Sequence, residues 1–172
     1  DSVASRGLGD VYKRQDNGLE IKKKTDGTPV LKKRICGNRF EGTNIYKRGE
    51  YYYLFASIGT CCNGATSTYQ TVVGRSKNVL GPYLDKTGRD MLYDYCEIIM
   101  SGNETWAGPG HNSILIQDDV GTDWIIYHGY KKKEAENGRY VLMDKLIWSN
   151  DGWPSVKSNA PSILEVAPYF QK

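Results

Sequence analysis

The segment from Tyr51 to Ser57 restricts the possible folds most strongly, because every residue in it is apolar, aromatic or small. Consecutive side chains of a β-strand point to opposite faces of the sheet. One face would carry Tyr51, Tyr53 and Phe55, and the other Tyr52, Leu54 and Ala56. A strand with apolar groups on both faces needs cover on both sides, which is typical of an inner strand. Residues 124–127, Trp-Ile-Ile-Tyr, repeat this pattern. We therefore expect central strands that are buried between packed layers.

Short strand-like runs separated by turn residues recur along the chain, without an amphipathic helix between them. The break Gly49-Glu50 between two such runs is a hairpin signal. The predicted strands are Leu19–Lys23, Val30–Cys36, Thr43–Arg48, Tyr51–Ser57, Thr68–Ser76, Asn112–Gln117, Asp123–Tyr130, Arg139–Ser149 and Ser162–Ala167. This regular spacing of short strands predicts an all-β protein, and it fits either a propeller of four-stranded blades or a β-sandwich.

Charge and composition argue against nucleic-acid and membrane partners. The net charge is +3, from 23 basic and 20 acidic residues. The basic runs Lys22–Lys24 and Lys131–Lys133 lie beside acids or turn residues and are typical of solvated loops rather than a broad basic face. No apolar run approaches the roughly 18 residues of a membrane span. The 13 Tyr and 4 Trp residues suit surfaces that stack on sugars, although strand-rich proteins use these residues anyway.

The spacing of the four cysteines fits neither a zinc site nor a disulfide scaffold. They are Cys36, Cys61, Cys62 and Cys96. Zinc ligands are usually two to four residues apart, which excludes the adjacent Cys61-Cys62 pair as a typical knuckle. The spacing also does not resemble a disulfide scaffold, so the redox compartment stays open.

Residues 1–15 are predicted to be foreign to the protein. Asp10–Gln15 reads like the translation of an adapter used in sequencing libraries, and such segments are excluded from fold reasoning. The alternative is an ordinary basic N-terminal arm. We expect natural sequence from Asp16 onward, and residues 16–172 to be the C-terminal portion of a larger domain.

Two sites carry candidate chemistry. Glu41 stands at a predicted strand entrance between Phe40 and Gly42, where partial desolvation would keep its proton available for donation; the alternative is a solvated charge. His111 follows Gly108-Pro109-Gly110, a tight backbone path, and could bind metal, carry a proton or simply hydrogen-bond at a strand end. His128, inside a predicted strand, is interpreted as structural.

The segments around these residues resemble glycoside hydrolase family 43. The resemblance runs from about Asn38 to Pro154 and includes Phe40–Arg48, Gly108–Ser113 and Asp151–Pro154. Ser57–Gly64, Ser67–Tyr69, Val73–Ser76 and Gly81–Tyr83 resemble the endo-arabinanases within it. The resemblance implies a five-bladed propeller, with its active site at one channel mouth, that hydrolyses α-1,5-linked arabinan. This chain would hold about the last two to three blades.

The resemblance also assigns roles to residues. It makes Glu41 the general acid of an inverting mechanism and His111 a residue that helps to hold a calcium ion, largely through waters. It suggests that Arg139 contacts the sugar and that Cys61 and Cys62 line the pocket. The general base and the carboxylate that tunes the acid would precede Asp16. We therefore expect this chain to be inactive and poorly soluble by itself, and the complete protein to be secreted or periplasmic.

Two other functions remain open. One is a carbohydrate-binding propeller without catalysis, which would use its aromatic residues and not Glu41. The other is a β-xylosidase or arabinofuranosidase of the same family.

Overall fold

The computed structural model describes residues 19–23, 25–26 and 29–171, and side chains within the strands before residue 34 are not described. Residues 1–15, predicted to be foreign, lie outside the described residues. The strands are β1 (Leu19–Lys23), β2 (Pro29–Lys33), β3 (Glu41–Arg48), β4 (Tyr51–Ile58), β5 (Gln70–Ser76), β6 (Glu97–Met100), β7 (Trp106–Gly110), β8 (Ile116–Gln117), β9 (Asp123–Lys131), β10 (Tyr140–Lys145), β11 (Ile147–Trp148) and β12 (Pro154–Ser155). Short 3-10 turns occupy Gly64–Thr66, Met91–Tyr93, Lys132–Asn137 and Lys157–Asn159. No helix among the described residues has the length and hydropathy needed to cross a membrane.

The first sheet is antiparallel, with strand order β3-β4-β5-β6. Strand β4 is buried on both faces, as its sequence predicts. Tyr53 and Phe55 enter one apolar cluster, and Leu54 and Ala56 enter a second cluster on the opposite side. The central strand of this sheet is thus held by apolar contacts on both sides.

The second sheet has the order β10-β9-β7, and β8 also pairs with β9. Its Ile125 and Tyr127 belong to the same apolar cluster as Tyr53 and Phe55 of β4. The cluster therefore lies between the two sheets and packs them against each other. Two further pairs, β1-β2 and β11-β12, form small two-stranded sheets.

A buried carboxylate joins the two sheets. Asp123, at the start of β9, has only 1% of its side chain exposed. Its Oδ1 accepts a 2.6 Å hydrogen bond from the Tyr46 hydroxyl of β3, and its Oδ2 accepts a 2.8 Å bond from the Trp148 indole. The Arg48 guanidinium lies 3.4 Å from the same Oδ2. These two hydrogen bonds and the nearby guanidinium offset the cost of burying the Asp123 carboxylate away from water.

The all-β prediction is confirmed, but several strand predictions are wrong. Strands β6 and β7 were not predicted, residues 162–167 form no strand, and only Ile116–Gln117 of the predicted strand 112–117 is extended. Strand β7 was missed because its sequence, Trp-Ala-Gly-Pro-Gly, resembles a turn. The described residues form separate sheets and do not close into a barrel.

Candidate active site

Glu41 is the first residue of β3 and pairs with Ser57 near the end of β4. A register shift follows it, and Gly42 within this irregularity has a φ of 55°, which favours glycine. Glu41 is exposed, so the expected partial desolvation is absent among the described residues. The residues of the edge strand β3 alternate between exposed and half-buried from Glu41 to Lys47, and Glu41 is one of the exposed ones.

Tyr69 holds the Glu41 carboxylate. Its ring is buried, with 1% exposure, and its hydroxyl donates a 3.0 Å hydrogen bond to Oε2 of Glu41. Burial, followed by this hydrogen bond, raises the pKa of Tyr69 to about 12. The phenol therefore remains a donor throughout the neutral range.

His111 approaches the same place from the second sheet. It follows β7 directly, with a φ of 51°, and its backbone N–H donates a 2.7 Å hydrogen bond to the Ser57 hydroxyl. Its ring packs on Gly42, where a Cβ atom would lie only 3.0 Å from the imidazole Cγ. The Asn44 amide donates to the Asn112 carbonyl at 3.2 Å and adds a second connection between the sheets. His111 thus contacts Gly42 and Ser57, the residues that follow Glu41 and pair with it, across the contact between the sheets.

His128 and Arg139 complete the cluster. The His128 ring stacks 5.9 Å from Tyr69 and 6.1 Å from His111, measured between ring centroids. Arg139 Nη1 lies 3.5 Å from His128 Nε2. Burial, and then the nearby Arg139 and His111, lower the pKa of His128, so its imidazole is neutral at pH 7. The structural interpretation of His128 stays a prediction, and its ring packs between Tyr69, His111 and Arg139.

The family model described as glycosyl hydrolases family 43 matches residues 12–154 of the chain. The chain belongs to glycosyl hydrolase family 43. The match begins inside the segment 1–15, whose foreign origin stays a prediction.

Relatives of this family 43 chain are named for activity on arabinan. It is 45% identical over 118 residues to the extracellular exo-α-(1→5)-L-arabinofuranosidase ArbA of Cellvibrio japonicus, covering 69% of this chain and 33% of that protein. It is 41% identical over 120 residues to the extracellular endo-α-(1→5)-L-arabinanase 1 of Bacillus subtilis, covering 69% of this chain and 35% of that protein. The chain thus spans about a third of the length of these curated relatives.

The fold is also shared with a solved arabinanase structure. The Cellvibrio cellulosa α-L-arabinanase complexed with arabinohexaose aligns with a TM-score of 0.69 and 36% sequence identity. The alignment covers 83% of this chain and 50% of that one.

The paired cysteines of this family 43 chain are bonded to each other. Cys61 and Cys62 form a disulfide between neighbouring residues in the connection from β4 to β5. The Cys61 carbonyl accepts a hydrogen bond from the Ser67 hydroxyl at 3.3 Å, and Ser67 packs on Gly108 of β7. Sequence spacing did not predict this disulfide, because frameworks are recognised by separated cysteines. The pocket-lining role of both residues stays a prediction.

The other two cysteines, Cys36 and Cys96, are free and half-buried. Burial raises the pKa of both thiols, which makes the reactive thiolate scarcer at neutral pH.

The described residues of this family 43 chain do not by themselves make a calcium site. No group of three or more His, Cys, Asp or Glu side chains within them is arranged to hold a metal ion. Calcium takes six to eight oxygen ligands, whereas His111 offers a single nitrogen. A calcium ion beside His111 would need waters or residues beyond those described.

Proposed function

We propose that this chain is part of a glycoside hydrolase that cuts α-1,5-linked arabinan with inversion and uses Glu41 as its general acid. The observation that carries the proposal is the hydrogen bond from Tyr69 to Glu41, beside Gly42, against which the His111 ring packs across the contact between the sheets. The similarity to proteins named as arabinanases and arabinofuranosidases supports arabinan as the substrate.

In the proposed reaction, the Glu41 carboxylic acid transfers its proton to the oxygen that leaves the anomeric carbon. A carboxylate base on the opposite face of the sugar removes a proton from water as that water forms the new carbon–oxygen bond. The base and the carboxylate that tunes the acid would belong to the part of the protein before Asp16. This chain by itself is therefore expected to give no hydrolysis.

Arg139, Cys61 and Cys62 are proposed to contact the sugar. The exposed guanidinium of Arg139 can donate several hydrogen bonds to sugar hydroxyls. His111 is proposed to help to hold calcium through waters, and the ion would order water and sugar hydroxyls there.

The two four-stranded sheets are proposed to be consecutive blades of a five-bladed propeller. The alignment with the Cellvibrio arabinanase supports this arrangement. Secretion is supported by two relatives named as extracellular and by the Cys61–Cys62 disulfide, since disulfides persist in oxidising compartments.

The test uses the complete gene product that contains this chain. Wild-type protein is expected to release reducing sugar from linear arabinan, and Glu41→Gln to reduce kcat by about 100- to 10,000-fold, the usual contribution of a general acid. Glu50→Gln, an exposed glutamate in the turn between β3 and β4, is the matched control and should retain wild-type activity. NMR of the first product should show an inverted anomeric configuration. Full activity of Glu41→Gln would refute the proposal.

The exo-acting arabinofuranosidase is the second candidate, because the relative at 45% identity carries that name. Product sizes from linear arabinan separate the two, since exo action releases short sugars from chain ends throughout the reaction. Preferential cleavage of an aryl-xyloside would indicate a xylosidase. Arabinan binding by the complete protein without any turnover would indicate the non-catalytic binder.

A further inference from the structure

We propose that Tyr69 is a positioning residue for the general acid, whose hydroxyl selects which oxygen of Glu41 carries the transferable proton. This inference rests on the proposed function of Glu41. It is based on the 3.0 Å hydrogen bond from the buried phenol to Oε2 of an exposed carboxylate. An exposed glutamate samples several rotamers, and a single fixed donor can restrict it to one.

The Tyr69 ring is itself immobilised by both sheets. A Cβ atom on Gly110 of β7 would lie 2.4 Å from the ring Cδ1, so this glycine permits the close packing. His128 of β9 stacks on the ring at 5.9 Å, and the Tyr69 backbone N–H donates to the Thr60 carbonyl at 3.1 Å. The position of the hydroxyl is therefore set by the folded core and not by the exposed surface.

The direction of the hydrogen bond has a consequence for proton transfer. Because the phenol donates to Oε2, the proton of the neutral Glu41 carboxylic acid resides on Oε1. Oε1 is then the atom that protonates the departing sugar oxygen. After the transfer, the Tyr69 hydrogen bond stabilises the carboxylate that remains.

Leaving-group dependence separates this role from a structural one. Tyr69→Phe is compared with wild type in the complete gene product on an arabino-oligosaccharide, whose leaving group needs protonation. The second substrate carries a dinitrophenyl group at its reducing end. Dinitrophenolate is a good leaving group, so its departure needs almost no help from a general acid. We expect kcat/KM to fall by about 10-fold or more on the first substrate and by less than about 3-fold on the second.

Tyr83→Phe is the matched control. Tyr83 is equally buried, and its hydroxyl donates to the Val79 carbonyl, which is outside the candidate site. This variant should leave the ratio of the two activities unchanged. If Tyr69→Phe does not fold, 4-fluorophenylalanine at position 69 fills the hydroxyl's space without a donor and should give the same selective loss.

Three outcomes would overturn the inference. Equal losses on both substrates would indicate a structural role, and a Tyr69→Phe protein that matches Tyr83→Phe would show no role in positioning. A wild-type protein inactive on both substrates would refute the proposed function and this inference with it.

Discussion

The two four-stranded sheets are stabilised in different ways. The central strands of the first sheet, β4 and β5, place apolar side chains on both faces, and few charges are buried among them. The second sheet instead buries carboxylates that accept hydrogen bonds from aromatic side chains. Asp118 accepts from the Trp124 indole, and Asp144 from the Tyr127 hydroxyl. The first sheet thus depends on apolar packing, whereas the second also depends on hydrogen bonds between buried carboxylates and aromatic side chains.

The candidate site forms where these two kinds of stabilisation meet. Glu41 comes from the first sheet and Tyr69 from the link just before its strand β5, whereas His111, His128 and Arg139 come from the second sheet or from the links beside it. Site geometry therefore depends on how firmly the sheets are joined.

The largest effect on stability is expected for Asp123→Ala. The substitution leaves the Tyr46 hydroxyl, the Trp148 indole and Arg48 without their shared partner, which should reduce the free energy of unfolding by about 3–5 kcal/mol. Denaturant unfolding measures the loss. Glu136→Ala, at an exposed acid in the turn Lys132–Asn137, should change stability by less than about 0.5 kcal/mol. Equal effects of the two substitutions would contradict the role of Asp123 in joining the sheets.

Leu54→Ala should cost slightly less, about 3 kcal/mol, because it opens a cavity in the first sheet at a residue with 1% exposure. No titrating group is involved, so the loss should be the same at pH 5 and pH 8. A loss that changes with pH would contradict the apolar description of this sheet.

A smaller, pH-dependent effect is expected for Asp118→Asn in the second sheet. Burial opposes ionisation of Asp118, but hydrogen bonds from the Trp124 indole and from backbone amides outweigh it and lower the pKa. A carboxyl with a lowered folded-state pKa contributes stability above its unfolded value of about 3.9, and this contribution is lost as pH falls through the folded pKa. Unfolding measured from pH 6 down to pH 2 should show a shallower decline for Asp118→Asn than for wild type. A slope for Asp118→Asn equal to that of the wild type would contradict the prediction.

The smallest change in stability is expected when the Cys61–Cys62 disulfide is replaced by two serines. A disulfide stabilises mainly by restricting the unfolded chain, and a bond between neighbours closes almost no loop. The change in the free energy of unfolding should stay below about 1 kcal/mol. A loss comparable to that of Asp123→Ala would show that this loop, and not the acid, joins the sheets.

Local patterns predicted much of this molecule. The two-faced apolar pattern identified β4 and β9, and the resemblance identified Glu41 and His111, which the fold does bring together. The roles of Tyr69 and His128 were not visible, because they depend on the pairing of β7 with β9, which sets Gly110 opposite His128. Such a register joins distant segments, and no local periodicity encodes it.

The Asp123 link also has a consequence for biosynthesis. Tyr46 and its acceptor are 77 residues apart in the chain. At translation rates of about 5–20 residues per second, Asp123 is synthesised roughly 4–15 seconds after Tyr46. During that interval the apolar face of the first sheet has no second sheet to cover it. A nascent chain stalled between these two residues is therefore the species that chaperones would be expected to bind.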